Sequence, residues 1–176
     1  MSEHTIDQPA DVDPDVAGFN TLSDDECRQR LTTCLAVTRW VEQVAAGRPY
    51  ADWAALKGAA ERAADTLEPD EVDSALAGHP RIGEKATDAK HDAELSEREQ
   101  AGVDASDATV VDALAAGNAA YEQRFDRVFL IRAAGRSSTE ILAELQRRLD
   151  NDDEAERAET VIQLREIALL RLKEKL

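Results

Sequence analysis

The residue in this sequence best suited to acid–base chemistry is a histidine placed at a proline corner. His79 lies in the run Gly78-His79-Pro80-Arg81-Ile82-Gly83, directly after an alanine-rich helical segment. Gly78 can adopt the left-handed conformation that ends a helix, and Pro80 keeps the backbone of His79 out of the α region. Because an ordinary imidazole has a pKa of about 6.5, His79 is a candidate general acid or base. The alternative is a plain helix-to-helix corner with an exposed histidine.

Two further polar clusters fall at the ends of predicted elements: Ser96-Glu97-Arg98-Glu99-Gln100 and Arg132-Ala133-Ala134-Gly135-Arg136-Ser137. Backbone amides without helical partners occur at such ends, and apolar burial is not required there. One hypothesis therefore places these two clusters and the histidine around one small pocket. There, Glu99 would orient His79 or stabilise its protonated form, and the amides would hold a polar, anionic ligand.

Each of the two clusters also has an explanation that involves no chemistry. Ser96 and Glu99 have the spacing of a helix capping box, which alone accounts for both residue types. Arg132 and Arg136 are four residues apart. Both would pair with the acidic surface, in ion pairs worth about 0.5 kcal/mol each. The residue pattern by itself leaves these alternatives open.

A metal site is the competing chemistry, with His79, His91 and Glu94 as candidate ligands. Their spacing matches no familiar metal motif, so no metal is predicted. The sequence also lacks a glycine-rich phosphate loop and a Gly-x-Ser-x-Gly run, so hydride transfer, kinase chemistry and acyl-enzyme chemistry have no support. Cys27 and Cys34 lie on one predicted helix, about 10 Å apart along its axis, which is too far for a disulfide. They are predicted to be reduced, buried thiols in a cytoplasmic protein.

The chain is strongly acidic, with 37 acidic and 21 basic residues and a formal net charge of −16. Such a surface repels phosphate backbones, so no nucleic-acid partner is predicted. An anionic substrate would need local arginines or lysines that act against the overall field. We interpret the acidic excess as that of a folded protein kept soluble in high salt, where screening reduces self-repulsion. No apolar run approaches the roughly 20 residues that span a bilayer, and the chain start does not resemble a secretory signal, so a cytoplasmic protein without membrane contact is expected.

Periodic leucines, alanines and valines after residue 21 predict an all-α protein, a compact irregular helical bundle. Residues 1–18 contain two prolines and four aspartates and predict a flexible acidic tail, followed by a single domain over residues 19–176. A capping box at Ser23 begins a helix that is predicted to continue to near Gly47. Arg127–Ile131 is the only strand-like run, and because one strand cannot make a sheet, it is predicted to be an extended or helical buried connector.

Several segments of the chain carry a resemblance through their order and spacing. They are His79-Pro80-Arg81-Ile82-Gly83-Glu84, Glu99-Gln100-Ala101-Gly102, Asn118-x-x-Tyr121-Glu122-x-x-Phe125, Phe129-Leu130-Ile131-Arg132-x-x-Gly135-Arg136-Ser137, Ile141-Leu142 with Arg148-Leu149, and Ile167 through Leu172. The opening Phe19-Asn20-Thr21-Leu22-Ser23 and Trp40 fit as well. In this series the chain resembles the 2-oxo-4-hydroxy-4-carboxy-5-ureidoimidazoline (OHCU) decarboxylase family over about residues 19–176. Each motif alone is modest, whereas their order is specific.

The resemblance implies an all-α, cofactor-free enzyme, commonly a homodimer, that decarboxylates OHCU to (S)-allantoin in urate breakdown. It implies His79 as the acid/base residue, with Glu99 assisting, and a role for an arginine of the last helix that Arg171 matches best. It also implies substrate contacts by Pro80, by Ser96, Glu97, Arg98, Glu99 and Gln100, and by the backbone at Ile131, Arg132, Ala133, Ala134 and Gly135.

One position departs from the family pattern. Asp126 stands where the family usually has glycine, after the phenylalanine of the motif that begins at Asn118. This departure bears on the local turn and not on the cluster around His79. Two other functions remain as alternatives: a helical interaction module that keeps the fold without activity, and a metal-dependent hydrolase.

Overall fold

The computed structural model describes residues 14–83, 101 and 107–176, and this part of the chain forms eight helices and no strand. The all-α prediction is therefore confirmed. None of the described helices is long and apolar enough to cross a membrane. In chain order the helices are α1 (Pro14–Asn20), α2 (Asp24–Cys34), α3 (Thr38–Ala46), α4 (Trp53–Asp65), α5 (Pro69–Leu76), α6 (Ala108–Phe125), α7 (Ser138–Arg148) and α8 (Asp153–Glu174).

Side-chain caps begin several of these helices, as the sequence indicates. The Ser23 hydroxyl accepts from the amide of Glu26, and the Glu26 carboxylate accepts from the amide of Ser23, which completes the predicted capping box. Ser137 and Glu140 form the same pair at the start of α7. Each box satisfies two amides that lack helical acceptors, an effect worth about 1 kcal/mol. The second box also ends the connector between α6 and α7 at a defined residue.

The helices pack around two hydrophobic clusters. The larger cluster is built mainly by α1 to α5 and by one face of α8, and its fully buried side chains include Phe19, Leu31, Trp40 and Leu56. The smaller cluster is built by α6, α7 and the connector between them, together with the residues after α5. Its members are Ile82, Leu114, Tyr121, Phe125, Phe129, Ile131, Ala133, Ile141 and Leu145. The smaller cluster therefore brings the chain just after His79 against the connector.

The predicted continuous helix from Ser23 to near Gly47 is wrong, because α2 and α3 are separate. Leu35 and Val37 between them are extended, with φ −152° and −122°. Both side chains are nevertheless buried, at 2% and 4% exposure. The apolar spacing continues through the break, so the periodicity does not reveal it. The break lets α3 pack beside α2.

Residues 14–18 of the predicted flexible tail belong to α1. Val16 and Phe19 of this helix are fully buried. Pro14 suits the first position of a helix, where no amide partner is needed. The two buried side chains give this short helix an apolar side, and the helix packs against α4. Residues 1–13 lie outside the described part of the chain. The division of the chain into a tail and a single domain stays a prediction.

Both cysteines are buried and free of disulfides, as predicted. Burial raises the pKa of the Cys34 thiol to about 12. A thiol with so high a pKa stays protonated and packs as a small apolar group, so neither reactivity nor metal ligation is indicated at this position.

Asp126 occupies a left-handed backbone conformation, with φ 53° and ψ 36°, at the C-terminal cap of α6. Its amide donates to the carbonyl of Glu122 at 2.9 Å and ends the helix. Because this conformation strains a residue with a Cβ by about 1 kcal/mol, Asp126→Gly is expected to raise the Tm by about 2–4 °C. Asp126→Ala is expected to lower it. Thermal unfolding of both variants checks the strain, which an increase in both would contradict.

An ion pair between α7 and α8 makes stability depend on acid pH. Arg147 Nη1 donates to Glu159 Oε1 at 2.9 Å, and the hydrogen bonds from Arg147 lower the pKa of Glu159 from 4.5 to about 2. A carboxyl whose pKa is lower in the folded than in the unfolded protein stabilises the fold at pH values above its unfolded pKa. That contribution is lost as the pH falls through the folded pKa. The difference in unfolding free energy between wild type and Glu159→Gln should therefore shrink between pH 4.5 and 2. Urea titrations across this range measure it, and a difference that grows on acidification contradicts it.

Candidate active site

The corner that carries His79 is built directly on the C-terminal end of α5. The amide of His79 donates to the carbonyl of Leu76 at 3.0 Å, and Nδ1 of its ring lies 2.8 Å from the carbonyl oxygen of Ala75. A carbonyl can only accept, so Nδ1 carries a proton. In the neutral imidazole Nε2 is then the nitrogen with the lone pair. In the half-buried neutral ring, Nδ1 is therefore the donor to the fold and Nε2 is the basic nitrogen.

The residues after His79 are held by α6. Arg81 forms an ion pair with Glu122, with Nη2 and Oε2 3.0 Å apart. Ile82 is buried in the smaller cluster, and its carbonyl accepts from Nδ2 of Asn118 at 3.4 Å. Asn118 is 5% exposed, and its Oδ1 has no hydrogen-bond partner among the described residues. The corner is thus fixed on two sides, by α5 through the imidazole and by α6 through Arg81 and Ile82.

The connector between α6 and α7 is neither helix nor strand, and within Arg127–Ile131 every residue except the half-buried Val128 is buried, as the sequence predicts. Side chains of other elements hold its backbone: Arg148 Nη1 donates to the carbonyl of Leu130 at 2.7 Å, and Gln163 Oε1 accepts from the amide of Arg132 at 2.8 Å. Ile131 and Ala133 of the connector share the smaller cluster with Ile82. The structure therefore brings the segment that follows His79 and the predicted substrate-binding backbone into one cluster.

The end of the connector is a turn with backbone donors. Gly135 has φ 79°, and the amide of Arg136 closes the turn on the carbonyl of Ala133 at 3.0 Å. Among the hydrogen bonds of the described residues, none has the amide of Ala133 or Ala134 as its donor. Two successive peptide N–H groups beside a left-handed glycine can donate hydrogen bonds to an anionic or carbonyl oxygen. This segment is therefore equipped to bind such a group.

The predicted arginines are engaged in different ways. Arg132 Nε lies 3.4 Å from Glu166 Oε2, and Arg136 Nε donates to the carbonyl of Arg132 at 3.1 Å. Arg171 is 2% exposed, and its Nη1 lies 3.5 Å from the carbonyl oxygen of Thr33 near the end of α2. This contact involves neither the corner nor the connector. The role implied for Arg171 therefore stays a prediction.

The remaining predicted residues, Ser96, Glu97, Arg98, Glu99 and Gln100, lie outside the described part of the chain, so the pairing of His79 with Glu99 also stays a prediction. His91 and Glu94 of the alternative metal site lie outside it too. Within residues 14–83, 101 and 107–176, no group of three or more His, Cys, Asp or Glu side chains could hold a metal ion.

A buried ionic network supports the connector, and the sequence analysis did not identify it. Arg148 and Glu156 are 1% and 0% exposed, and Arg148 Nε donates to Glu156 Oε1 at 2.8 Å. The hydroxyl of Tyr121 donates to the same oxygen at 2.6 Å, and burial, then this bond, raise the pKa of Tyr121 to about 12. The Arg148 guanidinium also lies over the ring of Phe129, 4.7 Å from its centre. The available signal was Arg148 at core spacing after Ile141 and Leu145.

Comparison with known proteins gives matches over most of the chain. A family model described as OHCU decarboxylase matches residues 20–173. A Haloferax volcanii protein named 2-oxo-4-hydroxy-4-carboxy-5-ureidoimidazoline decarboxylase is 26% identical over 157 residues, which are 89% of this chain and 92% of that protein.

Two solved structures share the fold. One is an OHCU decarboxylase in the presence of (S)-allantoin, with a TM-score of 0.68 and 21% identity over 83% of this chain and 96% of that one. The other is an (S)-allantoin synthase, with a TM-score of 0.68 and 16% identity over 92% of this chain and 53% of that one. Because the family model covers nearly the whole chain, the protein belongs to the OHCU decarboxylase family and is a carboxy-lyase.

Proposed function

We propose that this protein decarboxylates OHCU to (S)-allantoin in urate breakdown, with His79 as the general acid/base. The observation that carries the proposal is the bond from Nδ1 of His79 to the carbonyl of Ala75, at 2.8 Å. This bond fixes the ring on the corner and makes Nε2 the nitrogen that can give or take a proton. The corner in turn packs through Ile82 against the connector that is expected to bind substrate.

The chemistry requires few groups from the protein. The bond between the ring carbon and the carboxylate of OHCU breaks, CO2 leaves, and the electron pair is delocalised into the amide-rich ring. A proton then arrives from one face on the neighbouring ring carbon, which bears the ureido group, and sets the (S) configuration, while the carbon that lost CO2 becomes a carbonyl as its hydroxyl proton leaves. Because the ring is itself the electron sink, no cofactor is proposed. The protein holds the ring, stabilises developing charge and delivers the proton from a fixed direction.

We assign these tasks to the segments that the resemblance identifies. His79 transfers the proton, and Glu99 orients the imidazole or stabilises its protonated form. The amides of Ala133 and Ala134 fit the carbonyl oxygens of the ring, since no described residue accepts from them. Pro80 and residues 96–100 complete the substrate contacts. In a protein of net charge −16, Arg132, Arg136 or Arg171 supplies the local positive field for a carboxylate substrate.

The experiment that tests the function follows product chirality. The purified protein is mixed with freshly generated OHCU, and the appearance of (S)-allantoin is recorded by circular dichroism with and without a chelator. Accelerated formation of the (S) product that is insensitive to chelator is the expected result. Activity that the chelator abolishes would favour the metal-dependent alternative. A rate equal to that of OHCU alone would favour an inactive helical interaction module.

Substitution of Glu99 distinguishes a role in catalysis from a role as a helix cap. Glu99→Gln is expected to lower turnover while the Tm changes little, because the amide keeps the size of the side chain but not its charge. If Glu99 instead only completes a capping box with Ser96, Glu99→Gln should keep that box, and Glu99→Ala should lower the Tm by about 2–4 °C, with turnover intact in both variants. Steady-state kinetics and thermal unfolding on one preparation decide between the two.

A homodimer is proposed as the working state because the resemblance implies it, and a cytoplasmic location is proposed because both cysteines are free thiols. Size-exclusion chromatography with light scattering measures the mass of the assembly directly, and a monomer at micromolar concentration would rule out the dimer. The same measurement at low and high salt tests whether the acidic surface requires screening.

A further inference from the structure

The connector backbone is held at two points that flank Ile131. On one side the carbonyl of Leu130 accepts from Arg148, and on the other the amide of Arg132 donates to Gln163 Oε1 at 2.8 Å. Arg148 belongs to a buried ionic network, so its substitution would disturb much else. The side chain of Gln163 is half-buried, and the hydrogen bond described for it is the one that its Oε1 accepts from the amide of Arg132. The two anchors differ, and only the glutamine can be altered without opening the core.

Helix α8 fixes Arg132 through both its backbone and its side chain. Gln163 takes the amide, and Glu166, one turn further along α8, pairs with the guanidinium at 3.4 Å. A connector peptide has no ladder or helix partner, so its amide would otherwise need water or a rearrangement. The contact with Gln163 therefore defines the plane of the peptide between Ile131 and Arg132.

That plane has a consequence for the residues that follow. The amide of Arg132 is occupied by Gln163, while those of Ala133 and Ala134 donate to no acceptor among the described residues. The far end of the segment is closed by the bond between Arg136 and Ala133. Two fixed ends leave few orientations for the peptides between them. Gln163 thus sets which way the donors of Ala133 and Ala134 point.

We propose that Gln163 is a positioning residue of the decarboxylase site, which holds the connector through the amide of Arg132 so that the amides of Ala133 and Ala134 meet the substrate ring. The proposal rests on the function proposed above. Misplacing a binding group by about 1 Å can lower catalysis about 100-fold, so a lost anchor should be visible in kcat/KM.

The test compares two substitutions of similar size. Gln163→Glu keeps an acceptor oxygen for the amide of Arg132, and Gln163→Met removes it. The methionine variant is expected to lower kcat/KM about 10- to 100-fold, and the glutamate variant to stay within about threefold of wild type. Gln43→Met is the matched control, because Gln43 lies on the exposed surface of α3 and its Oε1 accepts from the side chain of Arg39 at 3.2 Å. Its kinetics should equal those of wild type. Gln163→Ala replaces the methionine variant if that protein does not fold.

Two kinetic results would overturn the proposal: a methionine variant with wild-type kcat/KM, or equal losses in the methionine and glutamate variants. Amide hydrogen exchange supplies a readout that needs no activity. Arg132 should exchange faster in Gln163→Met than in wild type or Gln163→Glu, and equal exchange in all three would also overturn the proposal. If the wild-type protein does not convert OHCU while amide exchange behaves as expected, the proposed function is wrong, and with it the role of Gln163 in positioning groups for this substrate. The structural contact between Gln163 and the amide of Arg132 would still be supported.

Discussion

Arg148→Met is expected to lower the free energy of unfolding by about 3–5 kcal/mol, because it leaves the carboxylate of Glu156 buried without its cation. Glu156 is 0% exposed and cannot reach water to replace the guanidinium. The substitution also removes the donor to the carbonyl of Leu130. For a chain of this size the loss corresponds to a decrease in Tm of about 6–20 °C, which thermal and urea unfolding would both record.

The neighbouring arginine provides a matched control. Arg147 pairs with Glu144 and Glu159, but its side chain is 50% exposed. The hydrogen bonds that Arg147 donates to Glu159 and Glu144 raise the pKa of its guanidinium, yet water screens the pairs. Arg147→Met is therefore expected to cost about 1 kcal/mol or less. Equal losses at positions 147 and 148 would contradict the dependence on burial.

A double substitution separates the lost cation from the stranded anion. Arg148→Met with Glu156→Leu removes both charges and is expected to be more stable than Arg148→Met alone, since apolar replacement of a buried pair is often neutral. Recovery should be partial, because the hydroxyl of Tyr121 and the carbonyl of Leu130 lose their partners. A double variant less stable than the single one would show that Glu156 has other compensation.

Local signals were sufficient for most of the helices. The capping boxes at Ser23 and Ser137, the aspartate cap at Asp52 and the proline at the start of α5 depend on neighbours within three or four residues, so the sequence reveals them. The break at Leu35–Val37 depends on how two helices pack together. No residue in it is a helix breaker, and its apolar spacing matches that of a helix.

The site divides along the same line. The corner was predictable from Pro80, because a proline acts on the residue before it, although Gly78 does not have the positive φ that its sequence position suggested. The clamp on the connector was not predictable, because it joins residues 18 and 31 positions apart. Arg148 stands at an inward position of α7, and Glu156 and Thr160 precede Leu164 on the buried side of α8. Opposite charges at core spacing on successive helices would have indicated the pair of Arg148 and Glu156. They would not have indicated that Arg148 also donates to the carbonyl of Leu130.

On the side of the proposed site that the structure describes, contacts with other elements fix both the histidine corner and the connector. The histidine corner depends on a bond to Ala75 and on Ile82, and the connector depends on Arg148 and Gln163. These supports come from α5, α6, α7 and α8. A change in any one of them should alter catalysis through geometry, whereas a change at Nε2 of His79 should alter the proton transfer itself.

His79→Asn tests that distinction and is expected to have the largest effect on catalysis. The side-chain amide of asparagine can place a donor near the position of Nδ1 and so retain the bond to the carbonyl of Ala75. It has no group equivalent to Nε2 and cannot exchange a proton near neutral pH. We therefore expect kcat to decrease about 10²- to 10⁴-fold while the Tm stays near that of wild type.

His79→Ala is the comparison, because it removes both functions of the ring. It should lose a similar amount of activity and, in addition, about 1 kcal/mol of stability with the bond to Ala75. Added imidazole should restore part of the activity of the alanine variant, where the space of the ring is empty, and less of that of the asparagine variant. If His79→Asn instead keeps more than about a tenth of wild-type kcat, the proton does not pass through this residue. The bond to Ala75 would then be the whole of what the histidine does, as the structural alternative for this corner requires.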